Sequence, residues 1–423
     1  MPYPFVVILG KAVRYAARLR GGGSALPGLF VEKISPDFIK TTLAQLPKGI
    51  VVISGTNGKT TTTKMVVALL EAHGLKVFTN RTGSNFSRGV AAALLGDIDI
   101  KGKLNADIAV LELDEAHAVP FVKAIPPQYS LLLNVMRDQL DRFGEIDATA
   151  QMLEKIAQAT TNTVVLNRED ARVLKIKDAL DGQKIELFGL SNNLLADFPS
   201  DDDMRSGTTK VTKRPDATVL LKKFSGNQAT YDVAGQEFST TLKLNGVYNV
   251  FNSAAAIALA HAVLGDETDI DTVLSTIATV TPAFGRGESL TVGGQPLELV
   301  LVKNPSGFRL GLKSFTPEGY ATMIAINDNY ADGRDMSWLW DVDFESLANQ
   351  GVAQVAGIRA YDMALRLQYD EIKIGHIEKD LTVALRQFID TNTDQPKRIY
   401  CTYTAMLTLR RELSKITKVE VIS

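Results

Sequence analysis

The apolar run Val51-Val52-Ile53 gives way at Ser54 to a polar stretch containing glycines. Apolar positions then recur three and four apart, at Met65, Val66, Leu69 and Leu70. A short apolar run bounded by a turn predicts a buried strand, and the change to a helical period predicts a helix from Thr60 to His73 that Gly74 stops. Lys76–Thr79, Ile108–Leu113, Tyr129–Val135 and Thr163–Leu166 read as further strands, apolar throughout as parallel strands covered by helices are. Strands alternating with helices predict an α/β fold with a parallel, doubly wound sheet and ligands at the carboxyl ends of its strands. Residues 192–230 break the pattern. Asp201-Asp202-Asp203, Ser206-Gly207-Thr208-Thr209 and Lys213-Arg214-Pro215 are polar and aperiodic, and predict an insertion or a short β excursion. An alanine-rich helix from Val250 to Val263 should be buried. A second α/β unit runs from about Leu297 to the end, with strands at Leu297–Val302, Thr322–Ile326 and Lys397–Thr402.

Phe5 to Arg20 forms a basic amphipathic helix ended by Gly21-Gly22-Gly23. It suits packing on the body of the protein or lying on a membrane surface. Basic residues continue through its second half, unlike a signal peptide. No segment reaches the ~18 uninterrupted apolar residues of a membrane span. The 423 residues are enough for two or three domains, and a net charge of −2 gives no reason to expect nucleic acid. The single cysteine, Cys401, excludes a disulfide framework within the chain and suits a reducing compartment. His73, His117, His261 and His376 lack metal-ligand spacing.

The richest chemistry lies in Ser54-Gly55-Thr56-Asn57-Gly58-Lys59-Thr60-Thr61, between the first strand and its helix. Backbone N–H groups at a helix N-terminus favour phosphate oxygens, and Gly55 and Gly58 let the backbone approach them. Lys59 would reach the β/γ-phosphates and the Thr60 hydroxyl would sit on Mg²⁺. The spacing departs from the general phosphate loop in one place, with Ile53 where a first glycine would fall. Glu112, Asp114 and Glu115 end a strand, where a carboxylate can hold the magnesium of a nucleotide. Two further polar loops follow strands. Asn80–Gly89 carries Arg81, Asn85 and Arg88 and can orient anionic groups, and Asn134–Gly144 is dense in charge. Asp332 and Asp335 stand near Trp338 and Trp340, as a capped helix start over a core or as an unusual surface.

In this order the motifs resemble the ATP-dependent Mur ligases, which share their fold with folylpolyglutamate synthases. Ser54–Thr60 resembles their phosphate loop, with the same departure, and Glu112 stands at the position of their magnesium-binding glutamate. Asn134–Gly144 resembles their Asn-x-x-x-Asp-His-Leu-Asp-Arg segment with Gln139 in place of histidine, and Asn167-Arg168-Glu169-Asp170 resembles the following strand end. Gly246–Asn252 resembles the adenine-side motif, with Tyr248 replacing histidine and Asn249 and Asn252 retained. Phe284–Glu288 resembles the linker whose arginine, here Arg286, would reach the phosphates. The resemblance covers about residues 48–423.

Within that family the chain is similar to the MurT-type synthetase subunits of lipid II isoglutaminyl synthase. Fewer than 50 residues precede the loop, where ordinary Mur ligases carry a UDP-binding domain. Lys303–Phe308, Ala331–Asp341, Gly357–Arg366 and Thr402–Leu407 resemble the MurT C-terminal domain. Many MurT proteins hold a four-cysteine zinc ribbon where residues 192–230 stand, and these contain no cysteine, so no zinc is expected. The resemblance implies an N-terminal helix and linker over 1–47, a Mur ligase-like ATP-binding domain over 48–292, and a smaller, Rossmann-like α/β domain over 293–423. It implies a cytoplasmic ligase, at the inner face of the membrane if the N-terminal helix touches it, with ATP and Mg²⁺ as cofactors. That enzyme amidates the D-glutamate α-carboxylate of lipid II through an acyl phosphate, using ammonia from a GatD-type glutaminase in a heterodimer. Arg81, Asn85, Arg88 and Asn304 would face the substrate, and Asp335 or else Asp332 would complete the partner's Cys–His pair. The alternatives are a ligase that adds an amino acid directly and a nucleotide-binding scaffold without transfer chemistry.

Overall fold

The computed structural model describes residues 4–19, 26–80, 87–137, 146–198, 214–244, 246–281 and 286–419, with the side chains of 17–19, 286 and 287 outside that description. Two compact units emerge, one built mainly from residues up to Val280 and the other mainly from Thr281 onward.

The first unit is organised by a nine-stranded sheet with the order β2-β3-β1-β4-β5-β6-β7-β8-β9. Its strands are β1 (Ile50–Ser54), β2 (Val77–Thr79), β3 (Ile108–Glu112), β4 (Tyr129–Leu132), β5 (Thr163–Asn167), β6 (Lys184–Leu190), β7 (Val219–Ser225), β8 (Gln228–Val233) and β9 (Gln236–Thr241). β2 through β7 pair in parallel, and β7-β8-β9 form an antiparallel meander at one edge. Every residue of β1, β3 and β5 is buried, as their apolar runs required. β1 lies between β3 and β4, so the chain leaves it in one direction and later returns on its other side. That switch opens a crevice at its carboxyl end. The β excursion expected in 192–230 is present as β7 and the start of β8, while residues 199–213 lie outside the described residues. Helix Val247–Leu264 passes for a membrane span by length and composition, yet two thirds of the span is buried in the protein as a core helix.

Helix Pro4–Leu19 packs its Val6, Val7 and Gly10 side against helices Leu26–Ile34 and Ser87–Asp97. Gly10 permits the close approach, since a Cβ there would lie 2.7 Å from Val31 and 2.8 Å from Leu95.

The second unit holds a six-stranded sheet of order β10-β11-β15-β12-β13-β14. Its strands are β10 (Arg286–Val292), β11 (Gln295–Leu301), β12 (Ala321–Ala325), β13 (Val352–Ala356), β14 (Ile374–Glu378) and β15 (Lys397–Cys401). All pair in parallel except β10, which forms an antiparallel hairpin with β11. The domain start expected at 293 falls on the Gly293-Gly294 turn of this hairpin, and the unit begins earlier, at Thr281. Two buried clusters cover the faces, one around Phe308, Trp338 and Phe344, the other around Leu299, Phe388 and Met406.

Candidate active site

In the first unit the loop after β1 turns into helix Lys59–Ala72 through two residues that need the left half of conformational space. Gly55 has φ +131° and Gly58, the N-cap, has φ +89°. A Cβ on Gly58 would also lie 2.7 Å from Asn252 Oδ1, so Asn252 stands against the loop. Asn249 lies one turn earlier on the same helix.

Asn134, just beyond β4, holds the loop from its other side. Its Oδ1 accepts from Asn57 N at 2.9 Å, its Nδ2 donates to Asn57 O at 3.0 Å, and its own carbonyl accepts from Thr56 N at 3.0 Å. Asn80 does the same at the end of β3, accepting from Glu112 N at 3.0 Å and donating to Glu112 O at 2.8 Å. An asparagine amide both donates and accepts, so it can hold the N–H and the C=O of one residue together. Asn167 and Asp170 fix the next strand end. Asn167 Nδ2 donates to Leu133 O at 2.7 Å, and Asp170 accepts from Val135 N at 2.7 Å while capping helix Ala171–Lys175. Burial pushes the Asp170 carboxyl up, against the pull of these N–H groups.

On this frame the Thr60 hydroxyl donates to Glu112 Oε1 at 2.9 Å. Lys59 is 6% exposed. Its Nζ donates to Gly55 O at 2.5 Å and pairs with Glu115 Oε2 at 3.5 Å. Of the strand-end acids, Glu112 therefore meets the hydroxyl and Glu115 meets the lysine. Glu115 as the lysine's partner was not legible, because three acids within four positions offer no local signal to separate them. The clamp roles of Asn80 and Asn134 were also missed. The available sign was an asparagine just past each of two apolar strands. No group of three or more His, Cys, Asp or Glu residues forms a metal cage among the described residues. One carboxylate beside a hydroxyl fits a magnesium ion that takes its other ligands from phosphate and water.

Several expected positions do not join this centre. Arg88 is exposed and pairs with Glu32 at 3.6 Å. Asn304 is buried in the second unit, where its Oδ1 caps helix Pro305–Ser314 by accepting from Gly307 N at 2.7 Å. Its sequence context, Asn before Pro, is the signature of that cap. Arg81, Asn85 and Gln139, and the Arg286 side chain, lie outside the described residues.

The second unit builds its own polar centre where β12, β13 and β15 end. Asp332 is buried, with Oδ1 accepting from Thr404 N at 2.7 Å and Oδ2 from Thr404 Oγ1 at 2.5 Å and Asn329 N at 3.1 Å. Thr404 lies in the first turn of helix Tyr403–Leu413, whose positive end favours a carboxylate. Burial outweighs these donors and raises the Asp332 carboxyl above its ordinary range. Asn327 Nδ2 and Asn329 Nδ2 donate to Thr404 Oγ1 at 3.0 Å and 2.8 Å. Asp335 is only half-buried and accepts from Ser337 N at 2.9 Å, at the start of the short helix Ser337–Asp341. The N-cap of that helix is Met336, without a side-chain cap, so Asp335 closes a turn just before the helix and is not its N-cap. Trp338 enters the core, whereas Trp340 is 48% exposed and does not. Cys401 is fully buried, and its thiol is pushed far above the usual range by burial, so it offers no thiolate nucleophile.

Comparison with known proteins follows this division. Residues 53–260 match the Mur ligase middle domain, and residues 301–406 match the MurT ligase C-terminal domain. The chain is 32% identical to the lipid II isoglutaminyl synthase (glutamine-hydrolyzing) subunit MurT of Streptococcus pneumoniae, across 96% of each chain. It is 30% identical to the corresponding subunit of Staphylococcus aureus, across 90% of this chain and 91% of that one. Among solved structures, the MurF ligase of Thermotoga maritima in complex with ADP superposes with a TM-score of 0.66 over 90% of this chain and 84% of that one, at 17% identity. That likeness carries the Mur ligase-like α/β fold. The phosphate loop, its Thr60–Glu112 pair and these relatives agree: the chain belongs to the MurT family of Mur ligases.

Proposed function

We propose that the chain is the ATP-dependent synthetase subunit that amidates the D-glutamate α-carboxylate of lipid II, on the cytoplasmic side of the membrane. The observation that carries this reading is the loop at the end of β1, with Lys59 at its centre and Thr60 on Glu112. It is supported by relatives named as lipid II isoglutaminyl synthase subunits.

A carboxylate is a poor acyl donor because its leaving group would be an oxide. Transfer of the γ-phosphoryl group of ATP to that carboxylate gives an acyl phosphate and ADP. Attack by ammonia on the acyl carbon then forms the amide and expels inorganic phosphate. Loop N–H groups and Lys59 would hold the phosphates in line and balance the charge that develops on them. Thr60 and Glu112 would hold Mg²⁺, which when bound neutralises phosphate charge. Asn252, on the Gly58 side of the loop, and Asn249 would meet the nucleotide base. Arg286, Arg81, Asn85 and Arg88 are carried as phosphate and substrate contacts by family resemblance. The cap formed by Asn304 makes its substrate role the weakest of these.

A glutaminase subunit of the GatD type would supply the ammonia, since the buried Cys401 cannot. Asp335 is the better candidate to orient the partner's histidine. It is the more exposed aspartate, while both oxygens of Asp332 already hold groups of this chain. The test is amidation of lipid II by the chain with its glutaminase, followed by mass spectrometry. ATP and glutamine should both be required, with ADP, phosphate and glutamate released in equal amounts. Amidation that proceeds without ATP would overturn the reading.

A further inference from the structure

Helix Pro4–Leu19 has two apolar faces, and folding fills only one. Val6, Val7 and Gly10 are buried against the body. On the other side Phe5 is 70%, Ile8 57% and Tyr15 68% exposed, and Ala12 and Ala16 are exposed with them. At about 100° per residue, these five positions fall within one arc of about 100° that points directly away from the buried face. Large apolar side chains aligned in this way mark a docking surface rather than scattered exposure.

The charges identify what docks. The segment Phe5–Arg20 contains Lys11, Arg14, Arg18 and Arg20 and no acidic residue. Lys11 lies between the two faces, half-buried, where a long basic side chain can lay its stem on apolar surface and direct its charge to an anionic layer, whereas Arg14 falls on the packed side with its guanidinium against Gly96. Asp97 and Asp99 are the acids that face Lys11, and they belong to the packed side. An apolar ridge of Phe, Ile and Tyr on a helical segment that is basic and free of acidic residues is the pattern of a helix lying in a lipid–water interface. We propose that this face seats on an anionic lipid bilayer and holds the enzyme at the surface in which its substrate is anchored. The proposal rests on the lipid-linked substrate of the preceding section.

The experiment uses the full chain with its glutaminase. Sedimentation with phosphatidylglycerol–phosphatidylcholine vesicles should carry the parent down, and pure phosphatidylcholine should carry less. The double variant Phe5→Glu/Ile8→Glu, altered only at exposed positions, should keep its melting temperature and lose vesicle binding about tenfold or more. It should amidate a water-soluble substrate with a truncated lipid at the parent rate and a vesicle-borne substrate more slowly. If the parent does not bind vesicles, or the variant binds as well as the parent, the proposal is overturned. It is equally overturned if the variant instead loses its glutaminase or a second copy on gel filtration, because the face would then be a protein interface. Failure of the parent on the soluble substrate would count against the amidation reading alone, since vesicle binding is measured separately.

Discussion

The Thr60 hydroxyl and the Glu112 carboxylate meet at 2.9 Å, joining the first turn of the loop helix to the end of the neighbouring strand β3. Neither group is a metal ligand by its surroundings alone. Their contact brings a neutral and an anionic oxygen donor to one point beside a phosphate cradle.

Glu112→Gln should therefore shift magnesium dependence. The amide keeps the shape and can still accept from Thr60, but it carries no charge for the ion. The magnesium concentration for half-maximal activity should rise about tenfold or more, a loss of ~1.4 kcal/mol or more of binding. An unchanged magnesium titration would remove Glu112 from the site.

Lys59→Ala should abolish ATP-dependent amidation, because one charged contact to a transferring phosphate commonly contributes ~3 kcal/mol or more. The variant should also lower stability, since Lys59 pairs with the buried Glu115. Removing one partner of such a pair costs about 3 kcal/mol. Calorimetry should show Lys59→Ala melting below the parent and Lys59→Ala/Glu115→Gln recovering much of the loss, with both inactive. Equal melting of the single variant and the parent would show that the pair contributes nothing to the fold.

Asp335→Asn should suppress glutamine-dependent glutamate release by the complex while leaving nucleotide affinity unchanged. An oriented histidine partner is worth up to ~10⁴ in rate where a triad is used fully. Release at the parent rate would leave Asp335 only its turn contact with Ser337.

Asp332→Asn tests the buried centre of the second unit. An amide cannot accept from Thr404 and Asn329 on both sides, so melting should fall by the cost of an unmet buried donor, about 1–3 kcal/mol. The pH dependence has a definite sign. The folded carboxyl is raised above 3.8, so the native state holds its proton more tightly than the unfolded chain. Stability from this group therefore declines as pH rises from about 3.8 through the folded value, and the asparagine variant should lose that decline. A parallel pair of stability–pH curves would refute the assignment.

The legible parts of the molecule were those with dense local signals. β1 and the Lys59–Ala72 helix follow from an apolar run, two glycines and a helical period within a single stretch. β14 was not legible, because it is an edge strand whose residues are mostly exposed and carry no apolar run. β13 did not stand out because Gln354 interrupts its apolar residues, leaving no continuous run. The Asp332–Thr404 contact spans 72 positions, so no local pattern announces it. The sequence favours Asp335 over Asp332 without deciding between them, and burial is what separates the two in the structure.

The asparagine clamps make the nucleotide site depend on two amide groups. Asn134 and Asn80 each work by offering a donor and an acceptor from one amide. Slow hydrolysis of such an amide to a carboxylate, the ordinary ageing reaction of asparagine, keeps the acceptor and deletes the donor. At Asn80 the new carboxylate would face the Glu112 carbonyl at the end of β3, and at Asn134 the Asn57 carbonyl in the phosphate loop. Such a change at either position should thus loosen the nucleotide site while the sheets beneath it stay folded.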